Sequence, residues 1–334
     1  MNRLILGFDT SNYRTSAAAV TEEGRVVFNA RKLLPVAKGE RGLRQNEAVF
    51  LHLRQMREII DGIRNAAHGA EIAAVAASTR PRSPEESYMP VFQVGDTIGC
   101  SLAAAMDVPY FLTDHQHGHI AAAAHETVLE GEARYLALHL SGGTTDLLLK
   151  DGDRLEELGG SADLHAGQLV DRVGVAMGLP FPAGPELEKL AENGKSEGLL
   201  GCSMEDGDLR CHFSGAETRA QRWVAEGRMP REDIAREIYD LLARTVARML
   251  QAGQRRTGER SALIAGGVAA SSLFRKMLGE RAASRCPGLR LIYGKPEYSG
   301  DNAVGVALIG ADMLRNRNGG GFTETKQDGV LREE

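Results

Sequence analysis

The sequence predicts an α/β protein made of two similar halves, and three observations carry that prediction. The first is a repeated local pattern. "LILGFDTSNYRTSAAAV" (4–20) and "YLALHLSGGTTDLLLKDG" (135–152) each run from an apolar strand through a small polar turn to a second apolar strand. Each then continues into a charged, hairpin-like segment, "TEEGRVV" or "DGDRLEEL". The second observation is a strand that ends in a glycine pair and leads into a helix, "SALIAGGVAASS" (261–272). The third is a set of helical patterns spaced between the strand-like runs.

The elements follow in order. The first hairpin pattern covers residues 4–20, and its turn exposes hydroxyls and backbone N–H groups. "NEAVFLHLRQMREIIDGIRNAA" (46–67) has apolar residues at helical spacing. "EIAAVAAST" (71–79) is a continuous apolar run, which suits a buried strand. "VGDTIGCSLAAAMD" (94–107) reads as a helix of small residues packed on a sheet. The second hairpin pattern follows at 135–152. "PREDIAREIYDLLARTVARMLQAG" (230–253) opens with proline and acids and is strongly amphipathic. The strand of 261–272 ends in Gly266-Gly267 and leads to the helix "SSLFRKMLGERAA". A strand, a glycine pair and a helix N-terminus favour close approach of a nucleotide. Duplicated α/β domains facing each other across a nucleotide cleft are the arrangement of the actin, hexokinase and chaperone ATPase superfamily. The expected organisation is an actin-like lobe over 1–112, a second such lobe with the chemical motifs over 113–315, and a flexible tail over 316–334, "NRNGGGFTETKQDG" and onward.

Composition narrows the function classes. A chain of 334 residues exceeds what one hydrophobic core usually supports, which agrees with two domains. Hydrophobic content of 43% and charged content of 25% are ordinary for a globular protein. The net charge is −5 and no lysine- or arginine-rich block stands out, so a nucleic-acid role needs a local patch or a partner protein. Cys100, Cys202, Cys211 and Cys286 lack C-x-x-C spacing. That argues against a disulfide scaffold and a cysteine zinc site, and fits a reducing compartment. No apolar run reaches membrane-spanning length, and the N-terminal apolar stretch is too short for a signal sequence. These features predict a cytoplasmic protein.

"TDHQHGHIAAAA" (113–124) carries three histidines in five positions. His115 and His119 are four apart, so on a helix their imidazoles lie about 40° apart, one turn along. Two such histidines serve either as packed helix side chains or as a metal pair. His117 points to the other side, and Asp114 could cap the helix. A third ligand must come from elsewhere, and the best candidate is Asp301 in "YSGDNAVGVALIG" (298–310), whose other reading is a helix cap. Two histidines and one carboxylate leave open positions for water or substrate. Such a donor set suits iron or zinc, and the sequence does not choose between them.

These motifs resemble the TsaD family, the tRNA threonylcarbamoyltransferases formerly called O-sialoglycoprotein endopeptidases. The family's H-x-x-x-H pair and distant Asp-Asn match His115, His119 and Asp301-Asn302. Its S-G-G-H-T phosphate loop matches Ser141, Gly142, Gly143, Thr144 and Thr145. Its A-G-E-x-x-D-K segment resembles "AGQLVDR", with the acid at Asp171. Its G-G-P segment resembles "PAGPELEKLA", which sets Gly184 and Glu188 where the family contacts the nucleoside. F-S-G recurs at Phe213-Ser214-Gly215, and A-G-G-V at Ala265-Gly266-Gly267-Val268, with Ser271 at the family's following asparagine. The resemblance covers nearly the whole chain in order.

The resemblance implies an actin-like fold, one iron or zinc ion, and an adenine nucleotide or acyl-adenylate, with magnesium as a further ion. It implies transfer of a threonylcarbamoyl group from an AMP ester to the N6 amine of a tRNA adenosine. It also implies a TsaB-like partner subunit or a homodimer. Glycine-turn N–H groups around Ser141–Gly143 would then hold phosphate or stabilise oxyanion charge, and Asp171 and Glu188 would accept hydrogen bonds from ribose hydroxyls; the other reading of these two acids, and of Glu188 above all, is a solvated helix charge. The departures are specific. The family's acidic N-terminal turn reads "DTSNYRT", its H-G-G segment reads "RGL" (41–43), and its loop histidine is Thr144. The F-S-G-L-K-T lysine is Glu217, and "TRPRSPEESYMPVFQVG" (79–95) replaces the G-P-G-L loop. That segment supplies Arg80, Arg82, Glu85, Glu86 and Tyr88, and two readings of it stand equally: it lines the cleft and sets substrate choice, with its arginines facing an anionic group, or it is a surface loop whose charges are solvated. The pattern fits a divergent paralogue. Three readings stand: a TsaD-like transferase on tRNA or another acceptor, a kinase-like ATPase, and a non-catalytic nucleotide-binding scaffold. No H-E-x-x-H glutamate supports a peptidase.

Overall fold

The computed structural model describes residues 3–11, 14–35, 43–83, 87–204, 209–300 and 302–318. The chain divides into two compact units, Met1–Gly118 with Asn302–Glu334, and His119–Asp301. Residues 319–334, most of the expected tail, lie outside the described residues.

In the first unit β1 (Arg3–Ser11), β2 (Arg14–Thr21) and β3 (Val26–Leu33) form an antiparallel meander. The charged segment after the first hairpin pattern is thus a third strand. Helix α1 (Gln45–Ala66) leads to β4 (Glu71–Ser78), and α2 (Phe92–Met106) leads to β5 (Tyr110–Thr113). β4 runs parallel to β1 and β5 parallel to β4, so the sheet order is β3-β2-β1-β4-β5. Leu4, Leu6, Phe8, Val75 and Ala77 pack against Met56, Ile59 and Ile63 of α1 and Ala103 of α2. The three α1 side chains recur at positions 56, 59 and 63, as a helical period requires. Burying each is worth about 1.5–3 kcal/mol.

Helix α3 (His115–Ala124) follows β5. In the second unit β6 (Arg134–Leu140), β7 (Thr145–Asp151) and β8 (Arg154–Ser161) repeat the antiparallel meander. Next come α4 (Ala166–Ala176), α5 (Gly184–Glu192), β9 (Ser203–Met204), β10 (Arg210–His212), α6 (Ser214–Glu226) and α7 (Arg231–Thr257). β11 (Ser261–Ala265), a 3-10 turn at Val268–Ala270, α8 (Ser272–Arg285) and β12 (Arg290–Tyr293) complete the unit. The sheet order is β12-β11-β6-β7-β8-β10-β9. Its run β8-β7-β6-β11-β12 has the order and strand directions of β3-β2-β1-β4-β5, which is the duplication that the two hairpin patterns predicted. The long helix α7 has Glu232 and Asp233 in its first turn, Arg255 and Arg256 in its last, and Gly258 in the left-handed conformation at its end. Acids at the positive end of the helix dipole, bases at the negative end and a glycine stop explain these limits.

The expected boundaries shift. The first unit extends past residue 112 to Gly118, inside α3, and α9 (Val304–Asn318), expected in the second lobe, belongs to the first unit. The reason is packing. Small residues of α9 lie against β1, β2 and β4, and Ala307 and Ala311 are fully buried. Residues Ile120, Ala123 and Ala124 of α3 instead join Tyr135, Ala137, Leu148 and Leu263 in a core of the second unit. No helix among the described residues is long and apolar enough to cross a membrane.

Candidate functional site

In the second unit, β6 and β11 are parallel neighbours, with Ala265 paired to His139. Their C-terminal ends therefore release two loops at one edge of the sheet, where open α/β sheets bind ligands. One loop is the turn Ser141–Thr144, closed by the Ser141 N–H donating to the Thr144 carbonyl at 2.8 Å. The Gly143 N–H donates to Ser141 Oγ at 3.2 Å. The turn rests on the start of α4: the Ala166 N–H donates to Thr145 Oγ1 at 2.8 Å, and the Gly167 N–H to the Ser141 carbonyl at 3.0 Å. A Cβ at Gly167 would lie 2.6 Å from the Gly142 nitrogen, so only glycine admits this contact. A Cβ at Gly142 or Gly143 would meet nothing within 4 Å, so the turn faces open space.

The second loop is Gly266-Gly267. Gly266 has φ +96, and a Cβ there would lie 2.2 Å from the Leu140 carbonyl oxygen. This residue holds the two loops together. Gly267 is exposed, and a Cβ there would meet nothing within 4 Å. Ser271 is buried and caps α8, its side chain accepting from the Phe274 N–H at 3.1 Å.

The acids predicted from sequence lie beside these loops and already have partners. Asp171 Oδ1 accepts from the Ala183 N–H at 2.8 Å, just ahead of Gly184 and α5. Burial raises the Asp171 pKa above the ordinary carboxylate value, opposed by the Ala183 and Gly184 amides. Glu188 Oε1 accepts from Ser272 Oγ at 2.8 Å and from the Leu273 N–H at 2.9 Å, so it ties α5 to the start of α8. Each acid thus has one oxygen committed to the frame. Tyr239, which sequence reasoning passed over, donates its hydroxyl to the Gly184 carbonyl at 3.1 Å. Burial, then the Glu188 charge, pushes its pKa up, so it stays a donor. Its position inside the amphipathic pattern of α7 marked it only as core. Ser141–Thr145, Asp171, Gly184, Glu188, Gly266, Gly267 and Ser271 are thus joined through shared contacts in one unit.

The histidines are divided. His115 and His119 stand one turn apart on α3, as their spacing predicted. His115 Nδ1 bonds both oxygens of the buried Asp9 carboxylate, at 2.9 and 3.0 Å. Ser78 also donates its hydroxyl to Asp9. His119 is buried with its ring centroid 4.6 Å from that of His139. Asp9 and His139 were not picked from sequence; the signal was a polar residue closing an apolar strand, "LILGFD" and "LALHL". Asp114 caps α3 as expected, its Oδ1 accepting from the His117 N–H at 2.8 Å, and its other oxygen holds His117 Nδ1. Asp301 lies outside the described residues. The neighbouring Asn302 caps α9, accepting from the Val304 N–H at 3.0 Å. Among the described residues no group of three His, Cys, Asp or Glu side chains is placed to hold a metal ion. The donor chemistry on α3 still fits a metal: a carboxylate on Nδ1 orients the imidazole and leaves Nε2 as the ligating nitrogen.

Of the segment 79–95, the residues from Phe92 onward belong to α2. The segment's start caps α3. The His115 N–H donates to the Arg80 carbonyl at 2.9 Å and the Gln116 N–H to the Pro81 carbonyl at 3.0 Å. Ser83 donates to Asp114 at 3.0 Å. Tyr88 is exposed, and Glu85 and Glu86 lie outside the described residues.

Comparison with known proteins identifies the family and the fold. The profile of the family described as TsaD, tRNA N6-adenosine threonylcarbamoyltransferase, matches residues 46–308. Curated relatives with that name include one from Symbiobacterium thermophilum, 31% identical over 93% of this chain and 92% of its own length. One from Variovorax paradoxus is 28% identical over 94% and 91%, and one from Thermococcus kodakarensis 26% identical over 99% and 96%. Among solved structures, T. kodakarensis HypF superimposes with a TM-score of 0.63 at 17% identity over 95% of this chain, which spans about half of that protein (48%). A ROK hexokinase from Thermus thermophilus gives 0.52 at 16% identity over 94% and 99%. These structures share the actin-like ATPase fold. The chain belongs to the TsaD family, the tRNA N6-adenosine threonylcarbamoyltransferases.

Proposed function

We propose that this protein transfers a threonylcarbamoyl group from an acyl-adenylate to the N6 amine of a tRNA adenosine. The observation that carries the reading is the convergence of the Ser141–Thr145 turn, Gly266-Gly267, Asp171 and Glu188 at the ends of β6 and β11, in a chain matched by the family profile. The open side of the glycine turn receives the phosphate of the adenylate. Gly267 lets the nucleotide backbone pass closely. Asp171 Oδ2 and Glu188 Oε2 accept from the nucleoside hydroxyls, while their other oxygens hold α5 and α8 in place.

One iron or zinc ion on His115, His119 and Asp301 would supply Lewis-acid polarisation and a template for the acyl group. Asp9 fixes the His115 ring for that role. In the transfer, the amine nitrogen forms a bond to the acyl carbon, the carbon–oxygen bond to phosphate breaks, and AMP leaves while the amine loses a proton.

The test combines purified protein, metal, threonylcarbamoyl-adenylate, tRNA and the partner proteins of the family. Mass spectrometry of digested tRNA then reads the modified adenosine. Its formation supports the proposal. A second reading, transfer to an acceptor other than tRNA, is favoured by Thr144, Glu217 and the segment 79–95, where this sequence departs from the family. AMP release with unmodified tRNA would select it. No adenylate binding at all would overturn both.

A further inference from the structure

The net charge of the chain is −5, yet the fold gathers arginines at one end of the second unit. Between Arg244 and Arg290 ten side chains are Lys or Arg and two are Asp or Glu. β11 and β12 pair in parallel, with Ser261 opposite Arg290, and the Arg290 N–H donates to the Arg260 carbonyl at 2.9 Å. Gln251 of α7 donates its side-chain amide to the Arg285 carbonyl at 2.8 Å, and Gln254 donates to the Pro287 carbonyl at 3.4 Å. The ends of α7 and α8 thus meet the starts of β11 and β12. This brings together Arg255, Arg260, Arg285 and Arg290, with Arg248 two turns before Arg255 on the same face of α7. All five are exposed. Among the described residues no carboxylate pairs with any of them. Glu259, next to Arg260 in sequence, pairs instead with Arg134 at 2.9 Å, and Glu156 takes Arg256 at 3.2 Å. Glu280 stands five residues before Arg285 on α8, which sets it on a different face.

We propose that Arg248, Arg255, Arg260, Arg285 and Arg290 bind the phosphate backbone of RNA, away from the nucleotide site. Like charges gathered without counter-charges attract a polyanion, because each phosphate they neutralise releases condensed cations. All five are arginine, whose planar guanidinium meets phosphate oxygens two at a time. The surroundings select the polyanion. A protein partner is held by apolar and aromatic anchors, and a membrane surface by apolar side chains that enter it beside the charges. The exposed large hydrophobic side chains of the described residues include none after Leu199, so the patch offers neither. A phosphate backbone needs no such anchor. Only the choice of RNA over another polyphosphate rests on the tRNA reading. In β11, Ser261 lies at the arginine end and Ala265 leads into Gly266-Gly267 at the other, about 15 Å along the strand. The patch therefore grips RNA at a distance from the reacting nucleoside. It sets the affinity for tRNA and leaves adenylate binding to the glycine loops, Asp171 and Glu188.

The experiment uses the full chain and a labelled, unmodified tRNA transcript, with binding followed by fluorescence anisotropy from about 50 to 200 mM salt. No acyl-adenylate is present, so the result is independent of whether transfer occurs. Arg255→Gln/Arg260→Gln/Arg285→Gln/Arg290→Gln should bind at least about tenfold more weakly at about 100 mM salt, and the slope of log affinity against log salt should become shallower by about 3–4. The same four changes to lysine should keep most of that slope. Calorimetry with AMP, and the Tm followed through the buried Trp223, should match wild type. Arg54→Gln/Arg57→Gln removes two exposed charges from α1 in the first unit and should leave RNA affinity unchanged, whereas Arg255→Gln/Arg285→Gln should lower it. Unchanged RNA affinity and slope in the fourfold variant would overturn the proposal. Equal losses in the two double variants would reduce the effect to net charge and overturn it as well. RNA binding kept while attachment to phosphatidylserine vesicles is lost would assign the patch to a membrane instead.

Discussion

Gly266 and Gly267 are adjacent in sequence but should respond oppositely to the same methyl group. Gly266→Ala puts a Cβ 2.2 Å from the Leu140 carbonyl oxygen, 2.6 Å from its carbon and 2.9 Å from His139 Cδ2, at φ +96. The positive φ alone costs an alanine about 1–3 kcal/mol. Relieving the overlap must displace β6 or β11, and overpacking of this kind adds about 1–3 kcal/mol. The sum is at least about 2 kcal/mol, which for a unit of this size lowers Tm by at least about 4 °C. Gly267→Ala has φ −61 and open space around the new methyl, so stability should hold or rise by up to about 1 kcal/mol. Its methyl nevertheless projects where the nucleotide is proposed to pass, and affinity for an adenine nucleotide should fall at least about tenfold, or about 1.4 kcal/mol.

Two assays separate these effects. Trp223 is the sole tryptophan and is buried in the second unit, so its fluorescence follows that unit's unfolding. Calorimetry with ATP or AMP reads binding. A Gly266→Ala Tm within about 2 °C of wild type would refute the steric reasoning. Gly267→Ala that binds nucleotide as wild type does would refute the close-approach reading, whatever its stability.

Three further outcomes are expected. His115→Ala/His119→Ala should lose its iron or zinc by elemental analysis, and Asp9→Asn should weaken retention by about 10–100-fold; unchanged stoichiometry in the double variant would end the metal proposal. Asp171→Asn should remove nucleotide binding without loss of stability at neutral pH. The raised folded pKa of Asp171 means its contribution is present below the unfolded value and declines as pH rises through the folded one, and an asparagine carbonyl still accepts from Ala183; equal binding by the variant would count against its role. Burial lowers the His52 pKa from 6.5 to about 4, so the unfolded chain takes up a proton first as pH falls. The first unit should therefore lose on the order of 2–3 kcal/mol between about pH 6.5 and 4. His52→Gln should flatten that acid limb in far-ultraviolet circular dichroism, and an identical limb would place the titration elsewhere.

What could be read from the sequence was what short spans encode. The two hairpin patterns, the β11–Gly-Gly–α8 unit and the capped helix α7 are each written within about thirty residues, and each appeared where periodicity and end signals placed it. The carboxylate that orients His115 lies 106 residues away in sequence, and the one that holds the start of α8 lies 85 away. Spacing rules do not reach such pairs. Asp9 drew no reading of its own and Glu188 also read as a helix charge, because neither partner is within a turn or a strand of them. α9 was misassigned for the same reason. Its small residues announce close packing, but not which sheet they pack on, and it is the first sheet, through β1, β2, β4 and β5, that receives them. The residues that carry chemistry here are thus legible one by one from the chain, and the second side chain that tunes each becomes legible only once the sheets are paired.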